Sequence, residues 1–462
     1  MSFHPPPRLE RREILLLVIL ALLSAIATAM TASAATRVAI IGGGVSGCAA
    51  ARRLAQVATP SSELAITLYE IGRGPGGRAS TRRTRSLPHL LINHGAPYAD
   101  IRSALGKSLV ASLDPSSTAP FRGAKGSLDA STGRFLKDDH VIGRDDEVGG
   151  DETPEFVTGA NGEMAQIASS LIRGMPSIET RYKTMVRSLT KGPNGEWELR
   201  DKNQEIVGSA DWLVVAGSGV AHPRWSATFG GDPPLVAAER EHPDPNLREA
   251  LDAIAKQTVS PVVAVMVGCS GPAAREWLSL GYDVADIKGS SVLSRVMVQG
   301  GATEDGEDWC SVVLHSTEDF AVRNSGVYGA SSSAARVGDA ASDESREESL
   351  IGAMAGALDG IPGLPSLNTD SGNGGASPSS PNSKQYDYGP VLHRWGNAFP
   401  KGTALPEGLS VVPSSRVAFC GDYVATPEQT RFGSFESALL SGNMVGEKIA
   451  RECLHQESVT DS

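Results

Sequence analysis

The sequence predicts an α/β protein in which a Rossmann-like dinucleotide-binding domain is interrupted by an inserted α+β domain. Three observations predict it. Residues 37–70, RVAIIGGGVSGCAAARRLAQVATPSSELAITLYE, read as strand, glycine turn, helix and second strand. β-rich and helical segments alternate through the middle of the chain. A last apolar strand, Val417 to Cys420, runs into a Gly421-Asp422 turn and a closing helix.

The first strand, Arg37 to Ile41, is β-branched, and Gly42, Gly44 and Gly47 follow it in G-x-G-x-x-G spacing. Glycine serves the turn at Gly42, close approach of backbone to a pyrophosphate at Gly44, and close helix–strand packing at Gly47. The first N–H groups of the alanine-rich helix then point at phosphate oxygens, with Gly43 and Ser46 in the same turn. The second strand, Leu64 to Tyr69, ends at Glu70, about 20 residues beyond Gly47, where a carboxylate accepts bonds from ribose hydroxyls.

Directly after Glu70 comes IGRGPGGRASTRR. Gly76 and Gly77 permit a tight backbone approach, and Arg78 and Thr81 offer charge-assisted and hydroxyl bonds to a phosphate. Arg82, Arg83 and Arg85 read as an exposed basic loop. Further on, Gly162 to Arg173 carries apolar residues at helical spacing. Asp211 to Ala216, Pro261 to Val267, Val292 to Val298 and Cys310 to His315 read as strands.

Two stretches break this pattern. Ser325 to Ser349 and Asn368 to Lys384 are rich in small and polar residues and read as solvated surface insertions, away from catalysis. At the far end Asp422 closes a strand, and a helix is expected from about Ser434 to Ala450. An aspartate there can bond a polyol chain, and the helix N-terminus can stabilise negative charge on a reduced ring. Combined with the βαβ unit and the Gly-Gly-Arg loop, this reads as the ribityl contact of a flavin.

Composition narrows the partners. A chain of 462 residues suggests two or three domains at about 150 residues each. The net charge of −11 and pI near 5.4 argue against nucleic acid or an anionic membrane surface and favour small molecules. The five cysteines are scattered without C-x-x-C spacing and read as buried thiols, not as a disulfide framework or zinc site. Arg8, Arg11 and Arg12 precede an apolar run from Ile14 to Met30, and Ala32, Ser33 and Ala34 supply a cleavage-like site. Residues 1–34 therefore read as a secretory signal peptide, leaving no stable membrane span in the mature chain. A single uncleaved anchor is the alternative, although the run is short for a span. The final site is expected to be secreted, lumenal or plastid.

Four runs in order, VAIIGGGVSGCAAARRL, YEIGRGPGGRASTRR, INHGAPY and VAFCGDYVATPEQTRFGSFESALLSG, are similar to those of renalase-like FAD-dependent oxidoreductases. That family belongs to the wider amine-oxidase and hydroxybenzoate-hydroxylase flavoprotein fold, of the GR2 type. The resemblance spans roughly residues 36–451 and leaves out the two low-complexity stretches. It implies noncovalent FAD held by Gly42, Gly44, Gly47, Glu70, Arg78 and Asp422, with Gly43, Ser46, Gly77, Thr81, Gly421 and Glu436 completing the site. It also implies that Val186 meets the adenine with its backbone. The implied domains are an FAD-binding domain of residues 35–92, 159–221 and 409–462, and a substrate domain of residues 93–158 and 222–408. Three positions depart from the family: Asn93 stands where it often has an acid, Glu436-Ser437-Ala438 replaces E-G-A, and GSGV with His222-Pro223-Arg224-Trp225 replaces an apolar-proline turn.

Only one full dinucleotide fingerprint is present, so a nicotinamide would enter the flavin pocket as substrate. The resemblance implies hydride transfer from a dihydronicotinamide-type molecule to flavin N5, with O2 taking the electrons to give peroxide. His94, His315, His393, Arg394 and Trp395 are the pocket candidates. A histidine can bond a carboxamide, an arginine can hold a phosphate and an indole can stack on a nicotinamide. Two further readings are an amine (CH–NH) oxidase on the same fold, which wants aromatics around the amine, and a flavin-binding regulatory protein without turnover.

Overall fold

The computed structural model describes residues 35–58, 64–138, 153–341, 343–367, 386–428 and 430–460. The expected signal segment 1–34 and the stretch 368–384 lie outside the described residues. Among the described residues no helix is long and apolar enough to cross a membrane.

A six-stranded sheet forms the first body, in the order Ile178–Tyr182, Leu64–Glu70, Thr36–Ile41, Trp212–Ala216, Val417–Cys420, Val411–Val412. All neighbours are parallel except the last pair. The sequence explains the parallel core. Strands such as TRVAII and WLVVA are apolar on both faces, as a sheet covered on two sides requires. One face packs on helix Val45–Val57 and the closing helix Phe435–Thr460, where Cys48, Leu54, Val445 and Ile449 are buried. On the other, Leu213, Val215 and Phe419 meet Leu235, Leu247 and Ile254 from helices Pro234–Glu241 and Pro245–Ala255.

The second body is a seven-stranded, mostly antiparallel sheet. Its order is Tyr388–Lys401, Thr258–Ser270, Asp308–Ser316, Leu293–Ala302, Val284–Lys288, Lys125–Asp129, Phe135–Lys137. Only Val284–Lys288 and Lys125–Asp129 run parallel. The edge strand Tyr388–Lys401 is not evident in the sequence, since it carries Pro390 and Pro400 among polar residues. An edge tolerates proline because only one side of it needs ladder donors.

The core clusters redraw the expected domain boundaries. Ala99, Ile101, Val110 and Leu113 pack into the nucleotide-binding body, and so does the helical stretch 225–254. The inserted sheet therefore takes its strands from 125–137 and from 258–401.

The stretch 325–349 also differs from expectation. Val327 and Ala340 are buried, helix Glu344–Asp359 begins within it, and Leu350 and Met354 of that helix enter the core of the inserted domain. Gly329, Ser332 and Gly338 are buried as well, and a Cβ on Gly329 would stand 2.3 Å from the Leu392 carbonyl oxygen, whereas Gly326, Ala330 and Ala341 remain exposed. The five cysteines are all buried, and none forms a disulfide.

Candidate active site

The glycine turn is built by contacts that exclude a side chain. Gly42 has φ +112°, and a Cβ there would stand 2.5 Å from the carbonyl oxygen of Ala216. A Cβ on Gly47 would lie 2.0 Å from the oxygen of Gly42, so the helix can sit this close only with glycine. A Cβ on Gly44, by contrast, would meet nothing within 4 Å. Gly44 borders an open cavity, and no side chain caps the helix that starts at Val45. Open backbone at an uncapped helix N-terminus is an anion site, so these residues fit a dinucleotide pyrophosphate.

Glu70 organises this turn from the next strand. Its two carboxylate oxygens accept from Gly43 N at 2.7 Å and Gly72 N at 2.6 Å. Burial pushes its pKa up while the two backbone donors oppose the shift. A carboxylate has about four lone-pair sites, so acceptor capacity remains for ribose hydroxyls. Gly76 N donates to Gly43 O at 2.8 Å and lays the Gly76-Gly77-Arg78 loop along the turn. Arg78 then forms a two-pronged pair with Asp422, at 2.5 and 2.7 Å, and also donates to Ala398 O. Gly421 is fixed by Ser441, whose hydroxyl accepts from Gly421 N and donates to Gly421 O.

Two adjoining cavities of about 700 and 740 Å³ meet here, sharing Gly42, Glu70, Gly77, Trp395 and Asn397. The first runs past Glu70 and Val186. The second holds Gly44, Ser46, Arg78, Gly421 and Asp422 together with the Gly95–Tyr98 loop and Phe432–Phe435.

Between them stands a cluster around His94. Trp395 Nε1 and His315 Nε2 both bond the His94 carbonyl oxygen, each at 3.0 Å. The Trp395 ring stacks on His94 with centroids 5.0 Å apart, and His393 lies 4.9 Å from His94 in an edge arrangement. Sheet register creates this group. His393 is level with Ala264, Ala264 with His315, His315 with Arg295 and Arg295 with Asp286. One row of side chains thus crosses the sheet. Burial, aided by His393 and Arg82, drives the His94 pKa well below its usual range. Burial likewise lowers His315 to about 4 and His393 to about 3. All three rings are neutral near pH 7, and Nδ1 of His94 and of His393 is buried without a protein partner.

Three expected site residues have other roles. Arg394, between His393 and Trp395, points to the opposite face and donates to the carbonyls of Ala321 and Asn324, because strand side chains alternate. Glu436 accepts from Arg102 N, Ser103 N and Ser103 Oγ, tying the start of helix Ala104–Ala111 to the closing helix. Thr81 reaches the first cavity, but its hydroxyl donates to Asn93 Oδ1 and accepts from Ala165 N. Asn93 also donates through Nδ2 to Gly162 O at 2.7 Å, a bond that an ionised aspartate could not make.

Sequence reasoning also misses residues. Arg73, Arg82, Arg224 and Arg336 all line the first cavity, with Trp225 and Tyr328. Arg82 reads in the sequence as part of an exposed loop, and Tyr328 and Arg336 fall in the stretch expected to be a structureless insertion. No local signal marks them, since the cavity exists only once both bodies are packed.

The fold and this site define an α/β protein with a Rossmann-like dinucleotide-binding body and an inserted, mostly antiparallel sheet. Residues 40–103 match the family described as an NAD(P)-binding Rossmann-like domain. No curated protein matches the chain. Among solved structures, the chain is similar to a putative protoporphyrinogen oxidase from Exiguobacterium sp. 255-15, with 12% identity and a TM-score of 0.54 over 91% of this chain and 99% of that one. It is also similar to cyclohexylamine oxidase from Brevibacterium oxydans IH-35A, with 14% identity and a TM-score of 0.51 over 90% of this chain and 99% of that one. At these identities the likeness is one of fold.

Proposed function

We infer that the chain is an FAD-dependent oxidoreductase, with the flavin bound noncovalently, that oxidises a dihydronicotinamide-type small molecule in a renalase-like reaction. One observation carries this reading: a single cavity joins the open glycine turn, Asp422 and the Gly95–Tyr98 loop beside Trp395. When bound, FAD supplies a hydride acceptor and a route for electrons to O2, giving hydrogen peroxide.

The chain's own residues supply position and environment. Gly44 and the helix start at Val45 hold the pyrophosphate, Glu70 the ribose and Asp422 the polyol. Trp395 offers a flat face, and neutral His94 and His393 offer unpaired ring nitrogens to a carboxamide. Oxidation of a dihydronicotinamide restores an aromatic ring, so no strong base is required, which agrees with three histidines held neutral.

The test is anaerobic absorbance before and after addition of dihydronicotinamide isomers. Bleaching of the flavin bands at about 450 nm is expected of this cofactor class. Persistent bands overturn the donor assignment. An amine oxidase is the second reading, favoured by Tyr98, Trp395, Phe399, Phe432 and Phe435 around the second cavity and by the shared fold of an oxidase of cyclohexylamine. Bleaching by amines alone would select it, and bleaching by neither would leave a noncatalytic flavoprotein. Residues 1–34 act, in the same reading, as a secretory leader, which N-terminal sequencing of the mature protein checks.

A further inference from the structure

The first cavity concentrates positive charge in a protein whose net charge is −11. Arg73, Arg82, Arg83, Arg224 and Arg336 line it, and Glu70 is the one carboxylate among its lining residues. Arg83 is neutralised by Glu163, with Nε at 2.8 Å from Oε1. The other four form no ion pair with a described carboxylate. Arg82 donates to Ser331 Oγ and Tyr388 Oη, Arg224 to Asn397 Oδ1 and Gln257 O, and Arg336 to the carbonyls of Ser331 and Ser332.

Arg82 and Arg336 therefore converge on Ser331. Burial and the like charges of Arg73 and Arg82 depress the Arg336 pKa. The guanidinium groups of Arg73, Arg82 and Arg336 repel each other, and a bound oxyanion in the cavity they share with Arg224 relieves that repulsion while accepting their paired N–H bonds. Around them Trp225, Phe229 and Tyr328 add flat apolar surface, and the buried Nδ1 atoms of His94 and His393 lack partners.

We propose that Arg82, Arg224 and Arg336, with Arg73 at the rim, form the subsite for a multiply charged oxyanion group on a ring-bearing substrate. This deepens the oxidoreductase reading and rests on it. Phosphate and carboxylate share the required chemistry, and the stretch 325–349 contributes part of this specificity through Tyr328, Ser331 and Arg336.

The test is calorimetric titration of flavin-loaded protein with inorganic pyrophosphate and with citrate, using wild type, Arg82→Gln, Arg336→Gln and the exposed control Arg85→Gln. Wild type and the control should bind, and each cavity variant should bind about tenfold more weakly at an unchanged flavin-to-protein ratio. The weakening with added salt should also be shallower in the cavity variants. Preference for pyrophosphate assigns a phosphate ester, and preference for citrate assigns a polycarboxylate.

Equal affinity in all four proteins, or no binding of either anion, overturns the subsite. Loss of flavin from the cavity variants with anion binding intact would assign the arginines to the cofactor and overturn it too. Titration needs no turnover, so protein that binds anions but is not bleached by dihydronicotinamides keeps the subsite and loses the donor assignment. Protein that takes up no flavin removes both.

Discussion

Trp395 donates its indole N–H to the backbone carbonyl of His94 at 3.0 Å while its ring stacks on the His94 imidazole. This joins the edge strand of the inserted sheet to the loop that follows the Gly-Gly-Arg segment. Both bodies thereby fix one wall of the site. In Trp395→Phe a smaller aromatic ring remains and the donor is lost, leaving the His94 carbonyl with His315 alone. A loss of about 1 kcal/mol is expected in denaturant unfolding, together with a shifted flavin absorbance envelope.

Gly44 and Gly47 separate cofactor binding from folding. Gly44→Ala places its methyl in the open cavity, so the thermal midpoint should hold while bound flavin falls. Gly47→Ala drives a Cβ against the Gly42 oxygen, and about 1–3 kcal/mol of destabilisation is expected. Thermal melts and flavin-to-protein ratios on the same preparations distinguish the two. Equal behaviour of both variants would contradict this division.

The buried histidines predict acid sensitivity. Their folded pKa values lie below the usual 6.5, near 4 for His315 and 3 for His393. Below pH 6.5 the unfolded chain binds protons that the folded chain excludes, so stability falls as pH drops. Their contribution is fully present above 6.5 and is lost progressively toward 4 and below. Urea unfolding at a series of pH values should show this slope, and His393→Phe should flatten it.

Arg394→Met tests the alternation of the edge strand. The variant loses bonds to the Ala321 and Asn324 carbonyls, so stability should fall by about 1–3 kcal/mol. Flavin content and KM should stay unchanged. His393→Phe should instead change KM, since its ring faces the cavity. A KM effect from Arg394→Met would place that guanidinium in the site.

The nucleotide-binding unit is legible in the sequence because its signals are local. Gly42, Gly44, Gly47 and Glu70 act through a turn and the two strands beside it, and a few tens of residues contain the whole arrangement. The β-branched segments that pair into sheets are legible for the same reason.

The rest is decided by tertiary structure. In the run His393-Arg394-Trp395, the period of two sends the first and third residues to the cavity and the second away, but only the observed pairing says which face is which. Glu436 looks like a cofactor contact by its place in a motif, yet Arg102 and Ser103, far away in sequence, claim its carboxylate. Arg82, Arg224 and Arg336 come from three distant segments, one of them compositionally featureless, and come to line one cavity only through packing. Sequence by itself determined the dinucleotide-binding turn and where its open backbone lies, since backbone geometry at glycine is a short-range property. Which side chains face the substrate depends on register and on contacts between the two bodies, and only the folded chain sets those.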